Sequence, residues 1–464
     1  MNLSNSSFDS RVLSDLLKKE NLRIYFIGIG GASCSSLARL AADLGHTVMG
    51  SDVIEGVNCA ALMAEGIEVV YSQNGEGIIS FKPDLVVYSL AIDDKNGDYI
   101  TAVALGATVI SRAQLLGALL EGYSRSIAVS GSHGKTTVTH FIYQMLKEAG
   151  KDPTALIGVS DTEGGLRRGG KSFMVYESCE YKESFILTRP KIQILLNLDL
   201  DHTDYYRDLS DLQRAFLRCA DNAAEFVIMP SGNANLDYVR GLTRTRVITY
   251  GTTSDADYRY EIIGEKQGRY SLRLYCYKIL LGEISLSVHG VHNLENAVAA
   301  SVAAIHCGVK FDSVKRAAER LTLPSRRWES LCRIENTEVV YDYAHHPREI
   351  EATLFSARQM GFSKIAVIFS PHTYSRTASL MQEFARALSS SDLAVITDIY
   401  AAREKPIEGI CAQTLVDEIK RVGGNAVRLN GSLAAERVAV GFDCILLMGA
   451  GELDEVKSCF IKST

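Results

Sequence analysis

The sequence predicts an α/β protein of three domains: a Rossmann-like N-terminal domain, a central α/β domain of the phosphate-loop ATPase type, and a C-terminal doubly wound Rossmann-like domain. Three observations carry this. The chain has 464 residues, room for about three domains of roughly 150 residues each. From Leu22 onward, short apolar runs alternate with segments of helical period, the pattern of βαβ units around parallel sheets. Two glycine-rich loops each stand between a strand-like run and a helix-like one.

The first block, residues 1–122, opens with the strand LRIYFIGIG, a helix from about Ser33 to Leu44 and a second strand, HTVMGSD. IEVVY, DLVVYSLAI and ATVIS supply further strands. The second block, 123–325, has the strand SIAVS, the loop GSHGKTT and the helix VTHFIYQMLKEAG. It continues with the strand IQILLNLDL and a Tyr-, Thr- and charge-rich stretch, 247–289, that reads as antiparallel strands. The third block, 326–464, follows LTLPSRRWES, where Pro324 and the basic pair Arg326–Arg327 read as an interdomain hinge. Its strands KIAVIFSP, LAVITDIY, AVRLN and CILLMGAG alternate with the helices TASLMQEFARALSS and ICAQTLVDEIKRVG, a doubly wound pattern.

Composition narrows the function. Lys+Arg number 49 against 55 Asp+Glu, a net charge of −6, and no Lys/Arg-dense stretch supplies the footprint that nucleic-acid binding needs. With 47% apolar residues, disorder does not dominate. No run reaches the ~18 apolar residues of a spanning helix. The polar N-terminal stretch lacks an apolar secretory core, so the expectation is a cytoplasmic protein without membrane or nucleic-acid partners. Ten scattered cysteines without a CxxC pair fit reduced thiols better than a disulfide framework or structural zinc.

The strongest local signal is Gly131-Ser132-His133-Gly134-Lys135-Thr136-Thr137, between a strand and an amphipathic helix. Glycines let backbone N–H groups turn toward phosphate oxygens, and the helix N-terminus adds a favourable field. Lys135 can reach the β- and γ-phosphates, and the Thr136 hydroxyl can join Mg²⁺. The spacing is shorter than GxxxxGK[ST], and the bland reading is a glycine turn. A second loop, Gly28-Ile29-Gly30-Gly31-Ala32-Ser33, ends strand one, with Asp52 about twenty residues on, where a dinucleotide fold keeps its ribose-binding acid. Ser33 replaces the third glycine of GxGxxG. This pattern speaks for a nucleotide diphosphate without saying which one, and a plain βα turn is its alternative.

Charged residues at strand ends complete the candidates. Glu177 and Glu180 flank Cys179, while Asp199, Asp201, His202 and Asp204 follow IQILLNL. Acids beside a phosphate loop are placed to hold a hard, oxygen-seeking metal; solvated turn acids are the alternative reading. The third block offers Asp342-Tyr343-Ala344-His345-His346-Pro347, Ser370-Pro371-His372-Thr373-Tyr374-Ser375-Arg376 and Arg403-Glu404-Lys405. Neighbouring histidines at a strand end face opposite ways, which favours a polar, substrate-facing rim over zinc.

Together these motifs resemble the Mur ligase family, and within it the alanine-adding branch. The likeness runs through all three blocks in order: GIGG, GSHGKTT, ESCEYKESF, NLDLDHTDYY, VHNLENAVAA, RRWE, DYAHHP, PHTYSRT, YAAREKPIEG and GAGEL. The resemblance implies an ATP- and Mg²⁺-dependent ligase of peptidoglycan precursor synthesis that joins L-alanine to the carboxylate of UDP-N-acetylmuramate through an acyl phosphate, as a monomer or homodimer. It implies that Gly131, Ser132, His133, Gly134, Lys135, Thr136 and Thr137 bind ATP with His292, Asn293, Asn296, Arg327 and Asp342. Thr136, Glu180 and His202 would hold metal, and Gly28, Gly30, Gly31, Ala32, Ser33, Asp52 and Ser89 the UDP-sugar. His346, His372 and Arg376 would line the amino-acid site; Lys135, Glu180, His202, His346 and Arg376 would serve catalysis.

The chain departs from the family pattern at three places. GIGGASCSS stands where GIGGxGMSG is usual, Thr373 replaces an arginine of PHRYxRT, and Arg348 follows HHP in place of threonine. The ATP half is intact while the sugar and amino-acid ends are altered. A paralogue with another amino acid or nucleotide-sugar therefore stays open. An NAD(P)-dependent oxidoreductase built on the first loop and Asp52 has no need of the 131–137 loop, and a non-catalytic nucleotide binder has no use for the metal pair.

Overall fold

The computed structural model describes residues 10–159, 164–200, 205–402, 404–438, 440–451 and 453–461. His202, Asp201, Asp204 and Arg403 lie outside them. The chain divides into two compact units. One comprises residues 1–260, 274–282 and 296–317; the other comprises 261–273, 283–295 and 318–464.

Three sheets order the chain. The first holds β1 (Arg23–Ile27), β2 (Thr47–Ser51), β3 (Glu68–Val70), β4 (Leu85–Tyr88) and β5 (Thr108–Ser111). Its order is β3-β2-β1-β4-β5, parallel throughout. The sheet reverses its winding at β1, and the glycine loop leaves the carboxyl end of that strand, where open α/β sheets bind ligands.

The central sheet holds β6 (Arg125–Ser130), β7 (Pro153–Leu156), β8 (Leu166–Arg167), β9 (Gly170–Glu177), β10 (Ile192–Leu195), β11 (Phe226–Pro230) and β12 (Val247–Gly251). Beyond these come β13 (Tyr258–Lys266), β14 (Arg269–Cys276) and β15 (Ile279–His289). The order is β15-β14-β13-β12-β11-β10-β6-β9-β7-β8. β6 lies between β10 and β9, parallel to both, and Ser126 to Ser130 are buried. Such a strand, covered on both faces, is why SIAVS reads as a continuous run of small and apolar residues.

The 247–289 stretch departs from the antiparallel expectation at its start. β12 runs parallel to β11 and also to β13, at Tyr250↔Tyr258 and Gly251↔Arg259. The short return is closed by Asp257, whose carboxylate accepts from the backbone and hydroxyl of Thr249 at 2.8 and 3.0 Å.

The last sheet holds β16 (Glu329–Ile334), β17 (Thr337–Asp342), β18 (Ile365–Ser370), β19 (Leu393–Ile396), β20 (Ala426–Arg428) and β21 (Cys444–Gly449). Its order is β16-β17-β21-β18-β19-β20, and only the β16–β17 hairpin is antiparallel. β18 and β21 are buried along their whole length, with Phe369, Leu446 and Met448 in a core under helices such as Pro347–Gln359. Cys34, Cys59, Cys219, Cys307 and Cys444 are buried free thiols. Among the described residues no helix is long and apolar enough to cross a membrane.

Candidate active site

In the first unit, β6 ends at Ser130 and the helix Lys135–Glu148 begins five residues later. Gly131 (φ +146°) and Gly134 (φ +85°) take backbone conformations that a side chain disfavours. A Cβ on Gly134 would also lie 2.7 Å from Asn296 Oδ1, so Asn296 packs against the loop. The loop is held from the β10 side. Asn197 accepts from the His133 N–H at 2.8 Å and donates to its carbonyl at 3.1 Å. The Ser132 hydroxyl donates to the Asp199 carbonyl at 2.8 Å and accepts from its N–H at 2.9 Å.

Lys135 points back across this loop. Its ammonium donates to the Gly131 carbonyl and lies 3.0 Å from both carboxylate oxygens of Glu180. Glu180 is 2% exposed. Burial works against the Lys135 charge, but the Glu180 carboxylate outweighs it and raises the lysine above its usual range. Glu180 is anchored in turn: the buried Tyr206 donates its hydroxyl to the Glu180 carbonyl at 2.5 Å. Left-handed Lys182 (φ +49°) and Glu183 (φ +55°) shape the turn that follows. Glu177 accepts from the Gly158 N–H, and its charge adds to the rise at Lys135. Thr136 and Thr137 occupy the first turn of the helix, half-buried and buried respectively.

The glycine loop after β1 is built differently. Gly28 (φ +79°) turns the chain, and Ser89 packs 3.4 Å from where its Cβ would be. Asp52, at the end of β2, accepts from the Gly30 N–H at 2.8 Å with one oxygen and from the Val53 N–H at 2.8 Å with the other. The carboxylate expected for a ribose thus fastens the loop itself. Gly30 has no room for a Cβ, which would fall 2.5 Å from Cys59 Sγ. Gly31 and Ala32 begin the helix Ala32–Asp43, and the Ser33 hydroxyl accepts from Arg112 at 2.8 Å.

In the second unit, a cluster forms around Glu349. Its carboxylate lies 3.8 Å from Arg327 and 3.2 Å from His345 Nδ1, and accepts from the backbone N–H of His345 and His346. Arg327 stacks over Tyr343 at 5.1 Å. Asp342, buried at the end of β17, accepts from the N–H groups of Trp328 and Ala344, both at 2.8 Å. Burial raises the Asp342 carboxyl, opposed by Arg327. Burial and then Arg327 push His292 down to about 4, with Glu349 opposing. His345 is likewise pushed down to about 4 by burial, against Glu349 and with Arg376 adding to the fall. Arg376 reaches His372 Nδ1 at 3.3 Å, and the His345 and His372 rings lie 6.3 Å apart.

The two adjacent histidines separate as their spacing predicts. His346 is buried and caps the helix Pro347–Gln359, its ring accepting from the Arg348 N–H at 3.4 Å. His345, which the sequence placed in the 342–347 motif without a site role, is the one whose ring meets Glu349 and faces His372. Asn293 is buried and donates to the His289 carbonyl at 2.8 Å.

Three family models match in series: the Mur ligase family catalytic domain over residues 23–124, the Mur ligase middle domain over 129–304 and the Mur ligase glutamate ligase domain over 326–451. A UDP-N-acetylmuramate–L-alanine ligase of Caldanaerobacter subterraneus subsp. tengcongensis is 38% identical over 451 residues, covering 95% of this chain and 97% of that one. The chain belongs to the Mur ligase family. A second relative, the UDP-N-acetylmuramate–L-alanine ligase of Agathobacter rectalis, is 35% identical, with 95% of this chain and 98% of the other covered. The crystal structure of the UDP-N-acetylmuramate–alanine ligase of Thermotoga maritima superposes with a TM-score of 0.81 at 26% identity, covering 96% and 99%. The murein peptide ligase of Psychrobacter arcticus shares the fold, with a TM-score of 0.72 at 23% identity and coverage of 96% and 98%.

Seen within the Mur ligase family, the departures have local partners. Ser33 holds Arg112, a residue the sequence did not single out and whose only signal was its place directly after β5. Thr373, at φ +67°, caps the helix Tyr374–Ser379 by accepting from the Arg376 N–H at 3.5 Å. Beside it, Glu404 accepts from the Ser375 N–H at 2.8 Å. Burial would raise the Glu404 carboxyl, but the bonds from Ser375 hold it below its usual range. Arg348 is exposed.

Proposed function

We propose that this Mur ligase joins L-alanine to the carboxylate of UDP-N-acetylmuramate, forming ADP and phosphate, in peptidoglycan precursor synthesis. The observation that carries this reading is the full-length likeness to UDP-N-acetylmuramate–L-alanine ligases. Residues 1–122 would take the UDP-sugar, 123–325 ATP and 326–464 the amino acid. The chemistry needs activation, because a carboxylate has no leaving group for an amine to displace in water. A carboxylate oxygen attacks the γ-phosphorus of ATP, the bond to the β–γ bridging oxygen breaks, and ADP leaves with that electron pair. The amine then attacks the acyl carbon, phosphate departs, and the amine's proton is lost.

Catalysis of such a transfer is mainly positioning and electrostatics. Backbone N–H groups from Gly131 to Thr137 would cradle the phosphates, with Lys135 stabilising the charge that builds on the transferring group. The oxygen donors of Thr136 and Glu180 would suit Mg²⁺, a hard ion; His202 is the third donor proposed. Bound there, the ion would neutralise phosphate charge. Asn296 lies against the loop that would hold the nucleotide, and His292, Asn293, Arg327 and Asp342 are assigned to ATP with it. Gly28, Gly30, Gly31, Ala32, Ser33 and Ser89 are assigned to the UDP portion, with Asp52 shaping their loop. His372 and Arg376 are assigned to the amino acid, Arg376 as the partner of its carboxylate; His346 would support them through the helix it caps.

A heavy-oxygen label in the UDP-N-acetylmuramate carboxylate tests the acyl phosphate. One labelled oxygen should appear in the released phosphate. Unlabelled phosphate from an enzyme making the amide would contradict the two-step route. Thr373 and Arg348 favour one second reading, a different amino acid in the same reaction, and competition among amino acids for the amide product decides it.

A further inference from the structure

Arg112 stands between the two loops of the first unit. It follows β5 directly and opens the helix Arg112–Leu120, so it lies at the carboxyl end of the sheet that carries the glycine loop. Its guanidinium is half-buried and donates to the Ser33 hydroxyl at 2.8 Å. The same helix rests on the turn that follows Glu180: a Cβ on Gly117 would lie 2.6 Å from the Leu187 carbonyl oxygen. Lys182, in that turn, donates to the Leu90 carbonyl at 3.1 Å, next to Ser89. The two loops thus adjoin, with Arg112 on their seam. Burial raises the thiols of Cys34, beside Ser33, and Cys179, beside Glu180, and the Arg112 charge is among those opposing the rise at both.

A guanidinium carries five donors in a planar fork. Among the described residues no carboxylate pairs with Arg112, whose hydrogen bond goes to a neutral hydroxyl. A half-buried cation costs free energy until an anion meets it, and the fork fits a carboxylate with two bonds at once. The proposed reaction brings such a group here. The substrate's carboxylate must reach from a sugar at the glycine loop to a phosphate held at Lys135, and it approaches that phosphate against like charge. We infer that Arg112 binds the sugar substrate's carboxylate, the group that attacks ATP, and that Ser33 aims the guanidinium at it. The inference rests on the substrate proposed above. Ser33, where glycine is usual, supplies the acceptor that fixes the fork.

Calorimetric titration of the whole chain, with Mg²⁺ and a non-hydrolysable ATP analogue present, tests this by binding rather than turnover. The probes are UDP-N-acetylmuramate and UDP-N-acetylglucosamine, which share the diphosphate and sugar ring but differ by the lactyl carboxylate. Arg112→Gln keeps an N–H donor for Ser33 and loses the charge. It should bind UDP-N-acetylmuramate at least about tenfold more weakly than wild type does, while UDP-N-acetylglucosamine changes by less than about twofold. Arg112→Lys should recover only part of the loss, because the charge returns without the fork. Equal losses for the two nucleotides would place Arg112 on the diphosphate and overturn the inference, as would unchanged affinity for both. Should Arg112→Gln fail to melt cooperatively, Ser33→Ala decides. Its loss, about two- to tenfold, should fall on UDP-N-acetylmuramate alone, and an equal effect on both nucleotides overturns the inference. Wild type that binds neither nucleotide would instead overturn the proposed substrate, and this inference with it.

Discussion

Two loops in one unit begin alike and end with different jobs. Each leaves a buried parallel strand, turns on a left-handed glycine and enters a helix, and each has a carboxylate close by. At the first, Asp52 spends its oxygens on the Gly30 and Val53 N–H groups, so the acid is part of the loop's frame. At the second, the frame is neutral, made by Asn197 and the Ser132 hydroxyl, and the carboxylate of Glu180 is left to face Lys135. The difference teaches that an acid near a glycine loop says little until its hydrogen bonds are known. Where backbone N–H groups hold it, it shapes the loop; where a lysine holds it, it is paired charge.

Lys135→Ala should break the phosphate loop's function most severely. Loss of its charge should cut ATP-dependent phosphate release on the order of 10²–10³-fold, while thermal unfolding stays cooperative. Asp52→Asn should do the reverse. Its amide keeps one accepting oxygen for the Gly30 and Val53 N–H groups and turns an NH2 on the other, which should cost about 1–3 kcal/mol of stability by urea titration, with ATP affinity unchanged. An Asp52→Asn protein of wild-type stability but without UDP-sugar binding would place that carboxylate on the ligand instead. Gly134→Ala falls next, at roughly 1–2 kcal/mol for the left-handed backbone, plus the contact with Asn296, and should read out in ATP affinity. Ser33→Ala should be mildest, about 0.5–1.5 kcal/mol from the lost Arg112 bond, seen as a raised KM for the UDP-sugar.

A pH series contrasts these loops with the second unit. His292 and His345 are both lowered to about 4 from 6.5, so the unfolded chain takes up protons first as pH falls. Their stabilising effect is complete above about pH 6.5 and declines toward pH 4. His345→Gln should shrink the drop in urea midpoint between pH 7 and pH 5. An unchanged drop would show that His345 is not held neutral.

Much of this was legible in the sequence. The alternation of runs such as SIAVS and CILLMG with amphipathic helices pointed to the parallel sheets, because strands buried on both faces are small or apolar along nearly their whole length. GSHGKTT announced a phosphate loop because glycine, lysine and threonine at a strand-to-helix turn have few other uses. Partners distant in sequence were not legible. Nothing local told that Asp52 would close on Gly30, that Arg112 would find Ser33 across 79 residues, or that Tyr206 would anchor Glu180. The choice between His345 and His346 turned on which ring the Pro347–Gln359 helix recruits as its cap. The parallel β12–β13 pairing, with Asp257 bonded to Thr249 across the short return, had no local signal either.

The most direct test of the account is ATP-dependent phosphate release with Mg²⁺ and UDP-N-acetylmuramate, offered L-alanine, glycine and L-serine in turn beside the Lys135→Ala variant. Release should require the UDP-sugar, be fastest with L-alanine and be lost in the variant. Release that ignores the UDP-sugar, or that survives the loss of Lys135, would contradict it.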